Sequence, residues 1–142
     1  MDQALEQILN LLLEAERAGV AALTALVGQV QNADLQRLLT TSREDEAADA
    51  KLLDDLIRAH GGTPSSRVGS FAAKVAEAAT VRDRLQLLIH GEEWVARKIE
   101  EALTLAPQSG PLRDCLNAMA RRHRFEVEWG RAELIRVMDA IT

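Results

Sequence analysis

The 142-residue chain contains no tyrosine, which excludes a tyrosyl radical or hydroxylation of a tyrosine within the chain. Cys115 is the only cysteine. An internal disulfide framework and a cysteine-rich zinc site are therefore excluded, and a small buried hydrophobe is the expectation for it. Aromatic residues make up only 3% of the chain while hydrophobic residues reach 47%. The balance is Ala and Leu interleaved with Glu, Asp and Arg, a mixture that favours helix and offers little to a sheet. Basic charge is also short: 17 Lys and Arg stand against 22 Asp and Glu, a net charge of −5. A nucleic-acid backbone is not an expected partner. No Gly-rich phosphate loop, nucleophile elbow or cysteine pair is present. The first apolar stretch is long enough to cross a bilayer, but Glu14, Glu16 and Arg17 sit in its middle and argue against that. Asp2, Glu6 and Glu14 stand where a secretory signal would place a basic region and an unbroken apolar run. A soluble cytoplasmic protein without a membrane partner is the expectation.

Proline is scarce, at three residues. The breaks are correspondingly few. The stretch HGGTPSSRVGS, residues 60–70, is a clear loop, and APQSGP, residues 106–111, is a second. A softer break lies at 31–34, where Asn32 or Asp34 can cap a new helix. These breaks predict one domain over 1–142, with helices α1 (about 2–31), α2 (34–59), α4 (80–105) and α5 (111–141). A short α3 (about 70–78) lies in the long connection, and Thr80 with Asp83 three residues on predicts the start of α4. Four long helices predict an all-α four-helix bundle. The α1–α2 and α4–α5 connections are short, so each pair is antiparallel. The α2–α4 connection has about 20 residues, which at up to ~3.3 Å each can run the ~39 Å length of a 26-residue helix. A crossover joining parallel α2 and α4 follows, a simple up-down bundle with a decorated loop being the alternative.

Steps of three and four along each helix trace its inward seam. In α1 the seam is Leu5, Leu9, Leu12, Glu16, Gly19, Leu23, Leu26 and Val30, and only Glu16 carries a charge. In α2 it is Leu35, Leu39, Ser42, Glu46, Asp49, Leu53 and Leu56. In α4 it is Val81, Leu85, Leu88, Glu92, Val95, Ile99 and Ala102. In α5 it is Leu112, Leu116, Met119, His123, Glu126, Gly130, Leu134, Val137 and Ile141. The interruptions fall near every midpoint, and the midpoints of equal antiparallel helices share one level. Glu16, Glu46, Glu92 and Glu126 are therefore expected to face one another, with Asp49 and His123 on the rim of the layer.

Five carboxylates cannot share a low-dielectric layer without protons or cations. Two divalent metals would supply the charge. Oxygen ligands with one imidazole suit iron or manganese, with zinc as a further choice. Carboxylate-bridged bundles use one Glu from each of two helices and Glu-x-x-His from the other two. Glu16 and Glu92 match the single positions. Glu46-x-x-Asp49 has the spacing with Asp in place of His. The α5 order is reversed as His123-x-x-Glu126, and Trp129 stands where the second His is expected. The alternative is a metal-free ionic core neutralised by Arg17, Arg97, Lys98, Arg121 or Arg122, each within about a turn of the layer.

The stretch LLEAERAG in α1 resembles the ferritin-like superfamily. More narrowly, residues 9–126 resemble a bacterial ferritin-like family known as a domain of unknown function. DEAADAKLLDDLIRAHGGTPSSRVGSF, GEEWVARKIEEAL and His123 carry that likeness, the loop and WVARK most specifically. The resemblance implies a four-helix ferritin-like fold. It also implies Glu16, Glu46, Glu92 and Glu126 as metal ligands, with His123 as a displaced imidazole.

Elsewhere, His60 reads as a helix-end residue favourable to the dipole, and His90 points away from the seam. Trp94 and Trp129 lie within a turn of the layer and read as packing. Leu13, Val20 and Val27 form an apolar stripe about 100° from the α1 seam, which predicts a homodimer surface. Two functions stand side by side: a di-metal oxidoreductase acting with oxygen or peroxide, and a metal-free helical module acting through association with a partner.

Overall fold

A computed structural model describes the backbone of residues 1–141 and the side chains of residues 1–136. Its helices are α1 (Gln3–Val27), α2 (Ala33–Ala59), α3 (Phe71–Glu77), α4 (Val81–Leu105) and α5 (Pro111–Ile141), with no strand among the described residues. Val137 and Ile141 of the expected seam lie outside the described side chains. The helix starts follow local capping chemistry. Asp2 accepts from the Ala4 amide at 2.7 Å, Asn32 from Leu35 at 2.9 Å and Thr80 from Asp83 at 3.1 Å. α1 stops at Val27 rather than near residue 31: Gly28, a weak helix former, takes the C-cap position with helical dihedrals, and Val30 then turns into the core. Gly61, at φ 84°, turns the chain out of α2.

Two apolar clusters flank a polar middle. One joins the first half of α1 (Leu9, Leu12), the end of α2 (Leu53, Ile57), the end of α4 (Ile99, Ala102) and the start of α5 (Leu112, Leu116). The other joins Leu23 and Leu26 of α1, Leu35 and Leu39 of α2, and Leu85 and Leu88 of α4. The C-terminal ends of α2 and α4 thus lie at the same end of the bundle. The two helices run parallel, and the connection between them is the expected crossover. It climbs α1 in register. The Thr63 amide donates to Glu6 at 2.6 Å, Ser65 to Asn10 at 2.6 Å and Gly69 to the Glu14 carbonyl at 3.4 Å. α3 then packs across α1 and α4.

Arg17 serves this crossover rather than the acidic layer. Its guanidinium donates to the carbonyls of Ser65 at 2.5 Å and Arg67 at 3.3 Å and pairs with Asp54 at 3.4 Å. A loop laid along a helix needs such donors for its backbone oxygens. Leu13 corrects the expected dimer stripe: it is fully buried in the first cluster, and Val27 packs on the second. Val20, between them on the stripe, is half-buried. No helix among the described residues is long and apolar enough to cross a membrane.

Candidate metal centre

Glu16, Glu46, Asp49, Glu92, His123 and Glu126 are all buried, at 0–8% exposure, between the two apolar clusters. Each sits near the middle of its helix on the inward seam, with the apolar residues of that seam above and below the polar stretch. His123 is the centre of the layer and not its rim. Its Nε2 lies 2.7 Å from Glu16 Oε1, and its Nδ1 meets Glu92 Oε2 on the opposite side, with Glu126 Oε2 at 3.7 Å. The seam fixes which way His123 points but not how far it reaches, and with no second His it fills the middle alone. Ligand atoms of Glu46, Glu92, His123 and Glu126 lie within 4.8 Å of one another, and those of Glu16, Asp49 and His123 form a second such group.

Asp49 is committed elsewhere. Arg122 donates from Nη1 to Asp49 Oδ1 at 3.1 Å and meets Oδ2 through Nη2, a two-pronged pair, while its Nε lies 3.7 Å from Glu126 Oε1. Of the five cations weighed for the layer, Arg122 is the one that reaches it. Arg97 and Arg121 are exposed, and Lys98 pairs with Glu101 at 3.2 Å over the Trp94 ring. Ser42, one turn before Glu46 on the α2 seam, donates to Glu126 Oε1 at 2.9 Å. It was visible as a polar interruption of that seam, but a hydroxyl alone does not announce a metal site.

The electrostatics follow from burial and crowding. Burial first, then the charges of Glu92 and Glu16, raise Glu46 well above the usual carboxylate range. Burial and the Glu126 carboxylate raise Glu92 likewise. For His123 burial works against the charged ring, but Glu16, Glu126 and Glu46 outweigh it and hold the imidazole above 6.5. A neutral imidazole has one donor and one acceptor, so a ring facing carboxyl oxygens on both nitrogens needs an extra proton somewhere in the set. Glu16 Oε2, Glu46 Oε2 and Glu126 Oε2 have no hydrogen-bond partner. Buried oxygens without donors, converging around one imidazole, fit a hard divalent cation.

The layer is approached unequally. Between α1, α3 and α4 a cavity of about 440 Å³ runs from the surface inward to Glu46 and Glu92. On the α5 side Trp129 closes over a void of about 10 Å³ beside Ser42, Glu92 and Glu126. Trp129, in the place of the second His, acts there as a plug packed on the second cluster.

The family model described as Domain of unknown function (DUF6306) matches residues 3–133. The chain belongs to this family. No curated protein matches it. Among solved structures it is similar to one described as ferritin like, diiron-carboxylate proteins from Bacillus anthracis str. Ames, with 17% identity, a TM-score of 0.68 and the whole of both chains covered. That likeness shows the fold, and the DUF6306 chain is a ferritin-like helical bundle. Its centre departs from a symmetric two-Glu-x-x-His arrangement at Asp49, Trp129 and the reversed His123–Glu126 order.

Proposed function

We propose that the chain is a ferritin-like metal-carboxylate protein, an oxidoreductase or metal-binding protein whose centre is built from Glu16, Glu46, Glu92, Glu126 and His123. The observation that carries the reading is the convergence of four ligand atoms within 4.8 Å in a buried layer, with three carboxylate oxygens left without donors. Glu46, Glu92, Glu126 and His123 would hold one ion. Glu16 and Asp49 are the remaining donors for a second, although Arg122 already occupies Asp49. Iron or manganese suits the donor set, and zinc is compatible with it. A redox-active ion bound there would supply electron-transfer chemistry toward oxygen or peroxide. The chain's own residues do the rest. Ser42 orients Glu126, His123 links α5 to α1 and α4, and the two Leu-rich clusters exclude water from above and below.

A second reading is favoured by one observation. Arg122 on Asp49, together with a charged His123 between Glu16 and Glu92, neutralises part of the layer without metal. The protein would then be a helical module acting through association, a homodimer included.

Thermal unfolding separates the two readings. Fe(II) under anaerobic conditions, Mn(II) or Zn(II) at about 100 times its dissociation constant should stabilise the chain by about 2.7 kcal/mol, a rise of about 5–10 °C. Glu92→Gln should raise the midpoint of the metal-free chain, since it removes one crowded acid, and should abolish most of the metal-induced rise. A wild-type midpoint indifferent to all three ions would favour the module.

A further inference from the structure

We propose that the cavity between α1, α3 and α4 is a binding site for a small neutral molecule with an aromatic or alkyl body and one hydroxyl, seated with the hydroxyl at Glu46 and Glu92. It deepens the metal-carboxylate reading by naming the class of molecule that reaches the layer, and it rests on that reading only for the molecule's fate there. The cavity, about 440 Å³, falls in the size range of small-molecule pockets. Its walls are mainly apolar, with Ala15 and Ala18 from α1, Phe71 from α3, and Leu87, Trp94 and Val95 from α4, while Glu14, Ser70, Lys74 and His90 add polar groups to the lining. Its inner end is polar, formed by Glu46 and Glu92, at 2% and 6% exposure. Glu46 Oε2 has no hydrogen-bond partner. Its mouth lies beside Leu11, which is 44% exposed.

Two glycines shape the space. A Cβ on Gly19 would collide with the Glu46 carboxylate, so the missing side chain is what lets that carboxylate lie against α1 at the cavity floor. A Cβ on Gly91 would lie 2.7 Å from Phe71 Cζ, so Gly91 lets the Phe71 ring close down as the outer wall. The crossover, pinned along α1 by Glu6, Asn10 and Arg17, holds that wall in place. The chemistry of the ligand follows from the two ends. Apolar walls strip water from whatever enters, which penalises a charged group having only one partner. A hydroxyl both donates and accepts, so it satisfies the Glu46 carboxyl in either protonation state. The Phe71 and Trp94 faces favour a ring.

The test is binding of 4-ethylphenol to the full chain in chelator-containing buffer, read by calorimetry and tryptophan emission. Saturable binding at one molecule per chain is expected, about tenfold tighter than ethylbenzene, the value of one buried hydrogen bond. The emission change should persist in Trp129→Phe and vanish in Trp94→Phe, because only Trp94 lines the cavity. Ala15→Phe should weaken binding at least tenfold by filling the space. Leu11→Asp, at an exposed position where folding is not at risk, should weaken it severalfold. Absence of saturable binding, equal affinity for ethylbenzene, tighter binding of benzylammonium, or indifference to both Ala15→Phe and Leu11→Asp would overturn the proposal. Ethylphenol binding in a chain that no metal stabilises supports the cavity site and overturns only the metal reading of the layer.

Discussion

Glu16 and Glu92 each present a carboxyl oxygen to a ring nitrogen of His123, and the consequences at the residue scale are matters of proton balance. Glu46, Glu92 and His123 all hold their protons more tightly in the fold than in the unfolded chain. The folded, metal-free chain therefore binds more protons than the unfolded one, and stability falls as pH rises. This contribution is complete below the ordinary values of 4.5 and 6.5 and is lost as pH climbs through the raised ones. The metal-free chain should melt at higher temperature at pH 6 than at pH 8, and a melt series in chelator checks it. A flat profile would mean that the layer is not crowded as described. Cys115, buried beside Met119, is pushed up to about 11 by burial and then by Glu16. It should react with iodoacetamide at pH 8 far more slowly in the folded chain than in denaturant, and labelling followed by mass spectrometry reads the ratio. The inward set was legible at this scale because Glu16 and Glu92 each break an apolar run alone, and Glu46 with Asp49 and His123 with Glu126 interrupt theirs at mid-helix. Arg122 was harder to place. It neighbours His123 but lies about 100° off the seam, and its long side chain folds back to Asp49.

Helix ends, caps and the crossover belong to the element scale, where local chemistry decided most of the outcome. Asn32 and Thr80 cap as their side chains allow. The end of α1 was less legible, since Gln29, Val30 and Gln31 continue a helical pattern and only the fold shows Val30 turning into the second cluster. The crossover's length was readable, but its contacts were not, because they pair residues such as Asn10 and Ser65 that lie far apart in the chain. Gly91→Ala tests its outer anchor. Alanine gains about 1 kcal/mol of helix propensity over glycine. Its Cβ would sit 2.7–2.9 Å from Phe71 ring atoms, and displacing that half-buried ring costs about as much. The midpoint should move little while proteolysis within 61–79 speeds up severalfold, seen by timed digestion. Unchanged proteolysis would show that Phe71 does not hold the segment down.

The whole molecule sets two apolar clusters around one polar layer and opens that layer to one side. Its bundle was legible from four interrupted seams and two loop lengths, because antiparallel geometry brings equal midpoints to one height. The cavity was not legible, since it exists only where α3 and the crossover stand off α1 and α4. At this scale the proposed function requires that a metal ion complete the layer. Elemental analysis of the full chain, purified without chelator and repeated for Glu92→Ala, tests it most directly. Wild-type protein should carry iron, manganese or zinc in stoichiometric amount, and Glu92→Ala should lose most of it while remaining folded. Wild-type protein folded and free of all three metals, and unable to take them up when supplied, would contradict the claim and leave His123 and Arg122 as the only cations of the layer among the described residues.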